Sequence, residues 1–268
     1  MNMLVEILVK AFLVIWAVQV LFFILAYILR TDKFTDFAYG TSFIIGALFA
    51  LLKTHSPTNI PPVKLILLIM VSLWGLRLSI YLLTRILKIK KDKRFDEIRG
   101  NFAKFAGFWL LQAVTIWSVS LPVLVLMATK NLNNWSPATL TGQAIWAAGF
   151  IIEAISDQQK FSFLNKEKNK YKWVNIGLWK YSRHPNYFGE ILCWIGIFIY
   201  SISLLGLNYW YIIASPIYIT SLLLFVSGIP PAEKSLDKKF GNNPKYQKYK
   251  EEVSPLILLP RKKREKGN

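Results

Sequence analysis

The chain has 268 residues, of which 54% are hydrophobic, with ten Trp and a mean hydropathy of +0.36, a composition that excludes an ordinary water-soluble globular protein. Its net charge of +18 is spread over several segments between long apolar runs, a pattern that suits lipid headgroups and topology and excludes a nucleic-acid surface. The single cysteine, Cys193, lies inside an apolar run, which excludes a disulfide framework and a cysteine-rich metal site; no metal is expected.

In chain order, the runs 11–29, 37–52, 64–87, 105–128, 138–157, 188–206 and 209–229 are candidate helices for crossing ~30 Å of hydrocarbon. The second reaches only about 24 Å at ~1.5 Å per residue, so it is expected to tilt or to begin earlier, near Phe34. The first is too long for a signal peptide and lacks a basic region before it and a small-residue cleavage site after it, so it is expected to remain in place. Basic residues alternate with the spans: segments 30–36, 88–104, 158–187 and the tail after 230 hold 27 of the 33 Lys and Arg, against Lys53, Lys64 and Lys130 in the opposite loops. Cytoplasmic loops carry such an excess, which puts the N-terminus outside and the C-terminus in the cytoplasm. The expected architecture is all-α, a polytopic integral membrane bundle of about seven helices, with residues 1–260 as one integral domain.

The tail breaks at Pro230 and Pro231, continues as a short amphipathic helix, a GNNP turn and an apolar patch ending at Pro260, and is expected to fold back on the cytoplasmic face. The last eight residues, RKKREKGN, read as a disordered basic end with affinity for membrane lipids.

Ionisable residues in spans cost ~2.5–3.5 kcal/mol each on insertion scales, so each needs a partner or a use. On the third span Trp74, Arg77, Tyr81 and Arg85 recur on one helical face, and the Arg77 guanidinium suits a phosphate or carboxylate. Arg85 reads equally as a topology-setting residue. On the fifth, Glu153, Asp157 and Lys160 form a polar stripe, with an Asp157–Lys160 ion pair as the plain structural reading and Arg77 or Arg183 as partner for Glu153. The segment GLWKYSRHPNYFGE is the densest polar cluster: Pro185 suits a first helical turn, Ser182 or His184 a cap, and Asn186 and Glu190 share a face. The helix N-terminus with Arg183 and His184 attracts phosphate or carboxylate.

These residues carry a resemblance. DQQKFSFLNKEKN, GLWKYSRHPNYFGEILCWIG, SGIPPAEK and FGNNPKYQKY, together with LWGLRLSIYLLTR, resemble the membrane reductases grouped with steroid 5-alpha-reductase, and more closely their bacterial relatives carrying a DUF1295-type domain of unknown function. The RHPNY core is also similar to that of sterol reductases, and a related core occurs in isoprenylcysteine carboxyl methyltransferases, which show paired glutamates where this chain has Glu233 alone.

The resemblance implies an NADPH-dependent reduction of a C=C bond in a small apolar, lipid-like or steroid-like substrate, in a bacterial inner membrane with the cofactor facing the cytoplasm. It implies that Arg77 and Arg183, with Arg94 or Arg99, neutralise phosphates, and that Asp157, Asn186 and Glu190 hydrogen-bond the cofactor. Tyr181, His184 and Tyr187 join them, and Glu233 with Tyr246 or Tyr249 closes the pocket. The Tyr that 5-alpha-reductases place three positions before the Arg is Trp74 here, which is no proton source; Tyr81, or Asp36 with Tyr39 on the second span, are the catalytic candidates. An S-adenosylmethionine-dependent methyltransferase and a non-enzymatic membrane protein remain the alternatives, and oligomeric state is not readable.

Overall fold

Apolar runs of this length can satisfy their backbone N–H and C=O groups in lipid only by forming helices, and the computed structural model is helical wherever those runs occur. Residues 3–89, 98 and 100–262 are described. The helices are α1 (Met3–Ile28), α2 (Thr35–Leu52), α3 (Pro62–Ile89), α4 (Phe102–Val119), α5 (Leu121–Ala128), α6 (Pro137–Leu164), α7 (Pro185–Leu205), α8 (Ala214–Ser221), α9 (Ile229–Phe240) and α10 (Pro244–Glu252). Among the described residues, seven helical segments are long and apolar enough to cross a membrane. Outward apolar side chains such as Leu13, Leu21, Ile80 and Phe225 are exposed, as lipid-facing positions require. Two compact units emerge, one of residues 1–140 and 197–215 and the other of residues 141–196 and 216–268.

In the first unit α2 begins at Thr35, the earlier start that its short apolar run called for. Gly75 lets α2 and α3 touch, since a Cβ there would sit 2.7 Å from the Gly40 carbonyl oxygen. Two buried amides tie helices together: Gln19 Nε2 donates to Ser42 Oγ at 2.8 Å and Gln112 Nε2 to the Thr35 carbonyl at 2.9 Å. The fourth predicted span is two helices, because Pro122 has no N–H for the Ser118 carbonyl and the chain turns at Ser120. Lys64 departs from its reading as a loop charge. It lies in the first turn of α3, wholly buried, and donates to the Met127 and Thr129 carbonyls at 2.9 and 2.6 Å, holding the end of α5.

In the second unit α6 and α7 cross at glycines: a Cβ on Gly149 would sit 2.6 Å from the Gly189 oxygen, and one on Gly196 would sit 2.5 Å from the Trp146 nitrogen. Cys193 is buried in this contact, with Sγ 3.7 Å from the Trp146 carbonyl, which fits its reading as a packing residue. The seventh predicted span carries a 3₁₀ segment at Leu207–Ile213 and a π-helical turn at Leu222–Val226, after which the chain breaks into α9. The tail then runs α9, a turn and α10, as its Pro and Asn punctuation predicts.

Candidate functional site

The site is assembled from the bottom of α6 outward. Gln159 Oε1 accepts the Leu178 N–H at 2.9 Å, and Ser156 O accepts the Trp179 indole N–H at 3.0 Å, so two consecutive turns of α6 fix the 3₁₀ turn Gly177–Lys180. Gly177 sits at φ +50 against the Gln159 side chain, where both the backbone angle and the space demand glycine. Ser182 Oγ then accepts the His184 N–H at 3.1 Å, and α7 starts at Pro185, as the cap reading anticipates.

The C-terminal segment straps this loop in place. Ser182 and Ser254 form a parallel bridge, the Arg183 N–H donates to the Ser254 carbonyl at 2.8 Å, Ser182 Oγ donates to the Leu256 carbonyl at 2.6 Å, and the Leu259 N–H returns to the Tyr181 carbonyl at 3.2 Å. From α10, the Tyr249 hydroxyl donates to the Trp179 carbonyl at 2.9 Å.

Glu233 on α9 is the electrostatic centre. Its Oε2 takes Arg183 Nη1 at 2.9 Å and its Oε1 meets His184 Nε2 at 2.8 Å, while Lys250 Nζ stands 3.6 Å away and also binds Asp237 at 2.7 Å. The Arg183 and Glu233 side chains are each only 15% exposed, so the pair is shielded well enough to hold its geometry. Burial lowers the His184 pKa from its ordinary value; the bond to Glu233 opposes this, and the charges of Lys160 and Arg183 reinforce it. The imidazole is therefore neutral at pH 7, stacked at 8° on Tyr187 with 5.4 Å between ring centres.

Beside this cluster lies a cavity of about 620 Å³. Arg183, His184 and Glu233 form one wall, Trp173, Tyr246 and Tyr249 an aromatic wall, and Lys160, Lys170, Lys172 and Lys239 a basic rim. Burial also raises the pKa of the Tyr246 and Tyr249 phenols, so both stay neutral.

The predicted cofactor residues divide by position. Arg183, His184, Glu233, Tyr246 and Tyr249 line the cavity. Asp157 and Glu153 are buried on α6, Asn186, Tyr187 and Glu190 are half-buried on α7, and Tyr181 is exposed; none of these lines it. Arg183 is engaged by Glu233 rather than held for Glu153 alone. In the first unit, Asp36 pairs with Arg85 at 3.6 Å, which gives Arg85 a partner beyond its topological role. Tyr39 packs edge-on to Phe43, and Phe43 to the buried Trp74, while Arg77 and Tyr81 follow one and two turns after Trp74 on α3. Arg94 and Arg99 lie outside the described residues.

Trp173, Lys250 and Asp237 were not singled out from sequence. Trp173 sits with Tyr171 in a lysine-rich loop, and aromatic residues among basic ones were the available signal. Of the buried polar atoms that lack a hydrogen-bond partner among the described residues, three belong to this region: Arg183 Nε, Asn186 Oδ1 and the Trp173 indole nitrogen. Two donors and one acceptor of this kind fit a ligand that offers both phosphate or ribose oxygens and an amide. The donor set contains no group of three or more metal-ligating side chains among the described residues.

Residues 22–253 match the family described as "Protein of unknown function (DUF1295)". The chain is 37% identical over 70 residues to 3-oxo-5-alpha-steroid 4-dehydrogenase 1 of Mus musculus, covering 26% of this chain and 28% of that one. It is 34% identical over 76 residues to the Bos taurus protein of the same name, covering 28% and 30%. It is 29% identical over 107 residues to that of Macaca fascicularis, covering 39% and 36%. The chain thus spans little more than a third, at most, of the length of these curated relatives. No solved structure matches it significantly. Because the family match runs through most of the helices and through the whole Arg183–His184–Glu233 cluster, the chain belongs to the DUF1295 family of proteins.

Proposed function

We propose that the chain is a membrane-embedded, NADPH-dependent reductase of a C=C bond in a lipid-like or steroid-like substrate. The observation that carries the reading is the Arg183–Glu233–His184 cluster at a basic, aromatic cavity, with Arg183 Nε and Asn186 Oδ1 buried and unsatisfied. The family membership and the partial likeness to 3-oxo-5-alpha-steroid 4-dehydrogenases support the oxidoreductase class.

In this reading Arg183 and Arg77 counter phosphate charge, while Asp157, Asn186 and Glu190 hydrogen-bond amide and ribose groups, with Tyr181 and Tyr187 flanking them. His184 orients Glu233, and Glu233 holds the Arg183 guanidinium in one rotamer. NADPH, when bound, supplies hydride to the electron-poor carbon of the substrate. Tyr81 donates the proton or polarises the conjugated carbonyl, with Asp36 and Tyr39 as the second candidates; the apolar, lipid-facing helices suit a substrate that arrives from the bilayer. The basic excess puts the N-terminus outside and the cofactor residues at the cytoplasmic face.

Turnover of NADPH with lipid and steroid enones by the purified protein tests this. Tyr81→Phe is expected to lower turnover by ~10²-fold or more while leaving the NADPH dissociation constant within about twofold. Unchanged turnover removes Tyr81 from the reaction.

A further inference from the structure

We propose that the C-terminal strap, residues 254–262, is a membrane-surface contact, and that the partner it fits is the anionic headgroup layer of the bilayer. This stands independently of the reductase reading, because it concerns the outer side of the strap and not the cavity. Two hydrogen bonds set the level of the strap. The Leu259 N–H donates to the Tyr181 carbonyl at 3.2 Å, and Arg261 Nε donates to the Lys180 carbonyl at 3.2 Å. The membrane-spanning α7 opens at Pro185, one helical turn's worth of chain after Tyr181, so the strap lies where hydrocarbon gives way to headgroups. At that level it turns apolar side chains outward. Ile257 and Leu259 are 50% and 49% exposed, and Tyr181 beside them is 47% exposed. Water disfavours such a ridge, whereas the interface accepts it, with aliphatic side chains in the acyl boundary and the phenol among the headgroups.

The charges around the ridge decide for anionic lipid. Arg261 binds Asn175 Oδ1 through Nη2 and stands 3.9 Å from Glu252, which Lys248 approaches at 3.6 Å, so the carboxylate here is answered from within the protein. Lys180 and Lys262 are exposed and have no ion-pair partner among the described residues. They stand beside Tyr181 in sequence and beside Arg261, at the two edges of the paired segments. An apolar ridge bordered by unanswered cations matches a layer of lipid phosphates over hydrocarbon. The contact bears on the candidate site, because the inner side of the strap fixes the loop that opens α7. The Ser254 carbonyl accepts the Arg183 N–H at 2.8 Å and the Leu256 carbonyl accepts Ser182 Oγ at 2.6 Å. Anionic lipid that holds the strap therefore also holds Arg183 in place.

The test reads depth and local opening in nanodiscs of phosphatidylcholine, with and without phosphatidylglycerol. Leu259→Cys takes a nitroxide label selectively, since Cys193 is buried. The label should be more accessible to oxygen than to a water-soluble nickel chelate; greater access for the chelate puts the strap in water and overturns the proposal. Hydrogen exchange of the Arg183 amide in the unlabelled chain should slow by about tenfold or more when phosphatidylglycerol is present, since each Lys near an anionic surface contributes about fivefold. The Lys180→Gln, Lys262→Gln variant should lose that slowing. Both lysines are exposed, so it is expected to fold, and an unchanged melting temperature in detergent checks this. No slowing in the wild type, slowing retained in the variant, or the same slowing produced by inorganic phosphate in phosphatidylcholine discs each overturns the assignment to an anionic bilayer. So does a chain that is dimeric in detergent and becomes monomeric with Ile257→Ser, Leu259→Ser, which would put a second copy on the ridge.

Discussion

Glu233 meets two different donors with its two oxygens, Arg183 Nη1 and His184 Nε2, and the three residues hold one another. Glu233→Gln removes the charge while keeping the shape. Because hydrogen bonds to charged groups contribute ~1.5–3 kcal/mol, the variant is expected to melt several degrees lower and to bind nucleotide about tenfold more weakly, as thermal melts and titrations would read. His184 carries a second expectation. Its pKa in the folded protein lies below its ordinary 6.5, because burial disfavours the imidazolium. The unfolded chain therefore takes up a proton at a pH where the folded chain does not. The stability this contributes is present above about pH 6.5 and is lost as pH falls below it. The melting temperature of the wild type should decline from pH 7 to pH 5.5 more steeply than that of His184→Asn; parallel slopes would show that His184 does not titrate on unfolding. At this scale the sequence announced Arg183, His184 and Asn186 through their density at a helix start. It could not reveal that Arg183 binds Glu233, since 50 residues separate the two and only the return of α9 brings them together.

Helix packing in the second unit depends on the absence of side chains. Gly149 on α6 faces Gly189 and Cys193 on α7 with no room for a methyl group, whereas Gly107 on α4 has nothing within 4 Å of where its Cβ would be. Gly149→Ala should destabilise by ~1–3 kcal/mol through overpacking, and Gly107→Ala should be neutral or gain up to ~1 kcal/mol from helix propensity. Melting temperatures of the two variants would separate these signs; equal shifts would contradict the close approach. The seven spans and the early start of α2 were legible from apolar length alone. The break at Ser120 was not, because Pro122 sits inside an unbroken apolar run and length counts do not register a missing N–H. The strap from Val253 to Leu259 was visible only as an apolar patch; its pairing with Tyr181, Ser182 and Arg183 is made by backbone groups, which carry no residue-specific signature.

Across the whole molecule, apolar side chains are exposed along the spans while buried ionisable ones are held by specific partners, as Glu233 and Lys64 are. Wholly buried Lys64, held by two carbonyls at the end of α5, shows that a lone basic residue at a span end need not be a topology marker. The 27 basic residues of segments 30–36, 88–104, 158–187 and the tail after 230 keep their weight as an orientation argument from sequence because they are many. The family and the polar cluster were both readable from GLWKYSRHPNYFGE, yet the cavity was not, since its walls come from two stretches about 50 residues apart in sequence, residues 160–184 and 232–249. The most direct test of the central claim is a thermal-shift titration of the detergent-purified chain with NADPH, NADH and S-adenosylmethionine, run beside the Asp157→Ala, Asn186→Ala double variant. Stabilisation by NADPH, absent with S-adenosylmethionine and abolished in the double variant, is the predicted result. A shift with S-adenosylmethionine alone, or with none of the three, would contradict the reductase account.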